Sequence, residues 1–112
     1  MKTYKKILLI DLDGVLNNYK KFDENNIPEI KTGAREFLEN LSKNYDIKIF
    51  TTRNRLLASK WLIENKLDNF VTDVTNVKEP AYLHIDDRCI CFDGNFEQTI
   101  SDINNFKVYW KN

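Results

Sequence analysis

The sequence predicts one α/β domain over residues 1–112, a three-layer, Rossmann-like parallel sheet with helices on both faces. Three observations predict it. Residues 6–10 read KILLI with no polar alternation, as a central parallel strand buried on both faces would. Strand-like runs then alternate with stretches of helical period. Polar residues close these runs, and in a doubly wound sheet ligands gather beyond the carboxyl ends of the strands. A chain of 112 residues holds one core and leaves no room for a second, substrate-covering domain.

Asp11 closes the first strand. Residues 17–32 are polar and turn-rich, with Pro28 near their end, and read as a loop or small flap. From Gly33 onward Ala34, Phe37, Leu38, Leu41 and Tyr45 recur at helical spacing, opposite Arg35, Glu36, Glu39 and Lys43. Ile47, Ile49 and Phe50 mark the second strand, which ends in Thr51, Thr52, Arg53 and Asn54. A helix with the stripe Leu57, Ala58, Trp61 and Leu62 follows. Phe70 and Val71 start a short third strand. Residues 82–85 form the fourth and deliver Asp86 and Asp87. Ile90 and Phe92 suggest a fifth strand. Phe96, Ile100 and Ile103 share one helical face, and residues 108–110 close the sheet or pack on it.

Lysine plus arginine equals aspartate plus glutamate, 17 against 17, so no summed field draws in nucleic acid or an anionic membrane. The apolar run at residues 7–10 is too short for a signal peptide or a membrane span, and a cytoplasmic protein is expected. Cys89 and Cys91, the only cysteines, read as buried filler in a reducing compartment. A zinc site made of these two and His84 would lack an evident fourth ligand and matches no common spacing. His84, inside an apolar run, reads as a core residue.

Asp11 and Asp13 stand two residues apart with Gly14 behind them, so both carboxylates can face one cavity while the chain turns away. One acid could attack phosphorus and the other protonate the leaving oxygen, splitting hydrolysis into two steps. Two carboxylates repel a phosphate dianion, so a cation is required. Asp86 and Asp87 add hard oxygen ligands that suit Mg²⁺. Phosphoryl transfer also asks for a hydroxyl donor and a lysine, and Thr51 and Lys78 are the candidates.

In order, ILLIDLDG, IKIFTTR, VKEP and LHIDDR resemble the four short motifs of the haloacid dehalogenase superfamily, a likeness spanning residues 6–88. The resemblance implies a Mg²⁺-dependent phosphatase of that fold type, working through a phospho-aspartyl intermediate. It implies Asp11 as nucleophile, Asp13 as general acid and base, Thr51 as donor to a phosphoryl oxygen and Lys78 as charge neutraliser. Asp11, the Asp13 carbonyl and Asp86 would hold the metal, with Asp87 reaching it through water, orienting its neighbours, or serving only as a turn acid paired with Arg88. Asp13 favours a phosphatase, because dehalogenases and transport ATPases of the superfamily lack the second acid. Relatives often have proline directly after the lysine, whereas here Glu79 precedes Pro80.

Neither residues 17–32 nor residues 54–77 leave room for the cap that most members carry. An open site suits a bulky phosphorylated substrate, unless a second subunit of a homo-oligomer covers it. Arg53 and Arg88 could touch substrate phosphate, but salt bridges to the sheet edge explain them equally well, and neither is counted as catalytic. The alternatives are a catalytically silent binding or regulatory domain of the same fold, and a phosphotransferase whose acceptor is not water. A response-regulator receiver would place its acid pair first, whereas here it comes last.

Overall fold

The computed structural model describes residues 4–111. Residues 1–3 and 112, at the ends of the expected domain, lie outside the described residues. Four strands, β1 (Lys6–Asp11), β2 (Tyr45–Phe50), β3 (Asp73–Thr75) and β4 (Leu83–Ile85), form an all-parallel sheet in the order β3-β2-β1-β4. Among the described residues three α-helices accompany it: α1 (Ala34–Ser42), α2 (Arg55–Glu64) and α3 (Phe96–Asn105). The chain steps from β1 outward to β2 and β3, then returns past β1 to β4. The strand order therefore reverses between β1 and β4, the place where an open parallel sheet leaves a crevice at its carboxyl edge.

Register decides which side chains meet. Ile10 pairs with Ile49 and with Ile85, and Ile49 pairs in turn with Val74, so one face carries Leu8, Ile10, Ile47, Ile49 and Val74. These pack with Ala34 and Leu38 of α1 and Ala58, Trp61 and Leu62 of α2 into one buried core. Burial of such a side chain contributes roughly 1.5–3 kcal/mol, which makes this face the main source of stability. On the alternate face Leu9 faces the row with Lys48 and His84, and Lys48 is ion-paired to Glu79 at 2.7 Å.

The helices start where local chemistry directs. Asn54 caps α2 by accepting from the backbone N–H groups of Leu56 and Leu57 at 2.9 and 3.1 Å. Gly33 precedes α1 with φ 92°, a conformation that costs glycine little. No helix among the described residues is long and apolar enough to cross a membrane.

Several expectations are corrected. Tyr45 opens β2 rather than closing α1, which ends at Ser42. The third strand forms at Asp73–Thr75, because residues 68–70 wind into a 3₁₀ turn in which Phe70 N–H donates to the Leu67 carbonyl at 3.1 Å. No strand forms at residues 90–92. β4 is consequently a three-residue edge strand, with nothing among the described residues paired beyond it. That leaves His84, Cys89 and Cys91 exposed instead of buried, with both thiols free. The helical stripe of Phe96, Ile100 and Ile103 forms, yet α3 contributes no buried residue and exposes these three by 76, 60 and 59%.

Candidate active site

A cavity of about 250 Å³ opens at the carboxyl ends of β1, β2 and β4. β1 supplies Asp11, and the turn after it supplies Asp13. Phe50, Thr51 and Thr52 come from the end of β2, and Asp86, Asp87 and Arg88 from the turn after β4. Parallel strands in register bring these chain segments level, since Asp11 pairs with Phe50 and Ile10 with Ile85. Tyr19 and Phe22 complete the lining from the flap.

The flap is tied at its base. Asn18 N–H donates to the Glu29 carbonyl at 3.0 Å and Lys31 N–H to the Leu16 carbonyl at 2.8 Å, around the Asn17–Ile30 bridge. Trp61 Nε1 donates to the Pro28 carbonyl at 3.1 Å and fastens the flap to α2. Asn17 is fully buried. Its Oδ1 accepts from Gly14 N–H at 3.2 Å and its Nδ2 donates to Asp13 Oδ1 at 3.0 Å, so it shapes the turn that presents both acids.

Gly14 is required twice. Its φ of 84° is strained for any residue with a Cβ, and a Cβ there would stand 2.2 Å from Asp87 Oδ2. The glycine thus lets Asp87, in the turn after β4, close against the turn after β1. Trp110 Nε1 donates to the same Asp87 oxygen at 2.5 Å, and the Tyr109 hydroxyl donates to the Gly14 carbonyl. The segment after α3 therefore braces the site, with the Trp110 ring edge-on to Tyr19 at 5.1 Å.

Asp11, Asp86 and Asp87 each offer an oxygen within 4.8 Å of the others. Burial, followed by the neighbouring acids Asp86, Asp87 and Asp13, pushes the Asp11 carboxyl up to about 8. Asp86 lies at the exposed mouth and is raised as well, first by desolvation and partly offset by the Arg88 N–H that it accepts at 2.9 Å. An oxygen cluster this close that holds a proton near neutral pH is one that a hard divalent cation would relieve, and its donors fit such an ion.

Thr51 is buried, and its Oγ1 accepts from Arg53 N–H at 3.1 Å. Arg53, expected at the sheet edge, is instead buried. Its Nε donates to Asp13 Oδ2 at 2.8 Å and its Nη1 to the Asp23 carbonyl of the flap at 2.6 Å, while the guanidinium lies 5.3 Å from the Phe22 ring. Both oxygens of Asp13 therefore have a donor, and each retains a lone pair on which to hold a proton.

Of the residues expected to act together, Asp11, Asp13, Thr51, Asp86 and Asp87 line the one cavity. Lys78 does not line it. It is exposed on the connection between β3 and β4, where the adjacent Glu79 is drawn to Lys48. Asn17, Tyr19, Phe22 and Trp110 were not among the expected site residues, and Arg53, expected in a salt bridge or against substrate phosphate, makes its ion pair with Asp13 inside the site. Only the position of Arg53, two residues beyond Thr51, offered a signal. Comparison of the chain with family models and with curated proteins finds no match.

Proposed function

We propose that the chain is a Mg²⁺-dependent phosphatase that hydrolyses phosphoric monoesters through a phospho-aspartyl intermediate on Asp11, on a haloacid-dehalogenase-type fold in the cytoplasm. The observation that carries this reading is the meeting of Asp11, Asp86 and Asp87 oxygens within 4.8 Å, in a cavity that also holds Asp13 and Thr51. Asp11 and Asp86, the Asp13 carbonyl and, from its closeness, Asp87 are the groups that would hold the ion. A divalent cation bound there would offset phosphate charge and polarise a phosphoryl oxygen.

The residues divide the work. Asp11 attacks phosphorus as its P–O bond to the leaving group breaks, and Asp13 gives that oxygen a proton. Water then attacks phosphorus with Asp13 taking its proton, and Asp11 is released as a carboxylate. Thr51 donates its hydroxyl hydrogen to a phosphoryl oxygen, its acceptor side already occupied by Arg53 N–H. Asn17 and Arg53 fix the Asp13 carboxyl, so little orientational freedom is lost on reaching the transition state.

The position of Lys78 favours one second reading, a cation-binding domain of the same fold without turnover. Hydrolysis of an aryl phosphate with and without Mg²⁺ separates the two. A phosphatase shows Mg²⁺-dependent release of phosphate that Asp11→Asn lowers by at least about a thousandfold. Equal background rates from both proteins would support the silent domain.

A further inference from the structure

Beside the acidic cavity lies a second hollow of about 350 Å³, lined by Arg88, Phe106, Lys107, Val108 and Lys111. It differs in charge from its neighbour. Its lining holds three cations and no acid, whereas the first cavity is dominated by four carboxylates. Among the described residues none of these cations is in an ion pair. Arg88 lines both hollows, so the two adjoin at that side chain. A substrate whose reacting phosphate sits among Asp11, Asp13 and Thr51 therefore meets this basic hollow where it passes Arg88. Phe106 and Val108, the latter buried, give it an apolar floor.

Lysine and arginine at such a place neutralise a phosphate, and arginine can do so through two parallel hydrogen bonds. We infer that the basic hollow receives a second phosphate group of the substrate, which makes the substrate class a molecule with two phosphates rather than a lone monoester. The inference rests on the proposed phosphatase reading for the location of the first phosphate. The hollow also communicates with the catalytic acids. The Arg88 guanidinium lies 5.4 Å from the Trp110 ring, whose Nε1 holds Asp87. Occupancy there alters the surroundings of Trp110, while Trp61, the other tryptophan, is buried in the core.

The test uses the full chain carrying Asp11→Asn, which removes turnover, in Mg²⁺. Adenosine 3′,5′-bisphosphate and adenosine 5′-monophosphate are titrated by calorimetry and by tryptophan fluorescence. The bisphosphate binds at least about tenfold more tightly, and adding Lys107→Ala with Lys111→Ala brings the ratio of the two affinities close to one. Both lysines are exposed, and circular dichroism checks that the variant is folded. A single-stranded oligonucleotide with one terminal phosphate forms a third arm. Tighter binding than the bisphosphate assigns the second phosphate to a strand, and weaker binding assigns it to a small molecule. Equal affinity for mono- and bisphosphate, a ratio unmoved by the lysine changes, or no binding of either would overturn the inference. Should the unaltered protein fail to hydrolyse aryl phosphate while the lysine-dependent preference persists, the catalytic reading falls and the basic hollow stands.

Discussion

Asp13 is fixed from two sides, and the stronger hold is Arg53, whose side chain is fully buried while that of Asp13 is 20% exposed. Removing the guanidinium leaves Asp13 Oδ2 and the Asp23 carbonyl without donors, so Arg53→Ala is expected to cost about 2–4 kcal/mol in urea denaturation. Arg53→Lys recovers part of this but cannot serve Asp13 and Asp23 with one planar fork. An Arg53→Ala protein as stable as the original would show that the pair contributes nothing. Gly14→Ala meets both positive φ and the Asp87 carboxylate, and should destabilise by about 2 kcal/mol or more while weakening divalent-ion affinity in calorimetry.

Asp11 sets a pH dependence whose sign follows from its raised value. Its ordinary value is 3.8 and its folded value about 8, so between these the native chain keeps a proton that the unfolded chain has released. Stability without metal therefore falls as pH rises from about 4 to about 8, by roughly 2 kcal/mol once solvent screening of this partly exposed group is allowed for. Urea midpoints in a chelator at pH 5 and pH 9 read this directly. Asp11→Asn should flatten the difference, and an unchanged slope would place the titration elsewhere. The aspartates and Thr51 were legible because strand ends announce them. The Asp13–Arg53 and Asp87–Trp110 contacts join positions 40 and 23 apart in the chain, a separation at which no local pattern operates.

At the scale of elements, α2 and α3 respond in opposite ways to substitution. Asn54 serves two backbone donors of α2, so Asn54→Ala should cost about 1 kcal/mol. Ile100 of α3 is 60% exposed, and Ile100→Ser should change stability by less than about 0.5 kcal/mol, the opposite of what a core position would give. Thermal unfolding of the two variants distinguishes these roles, and a large loss from Ile100→Ser would place α3 against the sheet. β1 was legible because the run KILLI suits only a strand with neighbours on both sides, as its pairing with β2 and β4 bears out. The cysteine segment was misjudged for the converse reason. Ile90 and Phe92 alternate like strand residues, but a strand needs a partner, and pairing beyond β4 is a tertiary fact that alternation does not contain.

For the molecule as a whole, the reversal of strand order between β1 and β4 brings Asp11 beside Asp86 and Asp87. The same crevice places the basic hollow next to the acidic one. The α/β class and the parallel sheet were legible from the alternation of elements. The position of Lys78 was not, because the connection from β3 to β4 follows the Lys48–Glu79 ion pair on the alternate face of the sheet. The proposed hydrolysis requires Asp11 to become phosphorylated, and the most direct measurement is mass-spectrometric mapping of protein acid-quenched during turnover of an aryl phosphate in Mg²⁺. The phosphoryl group is expected on Asp11 and absent from Asp11→Asn. Steady hydrolysis with no modified residue, or with the phosphoryl group on another side chain, would contradict it.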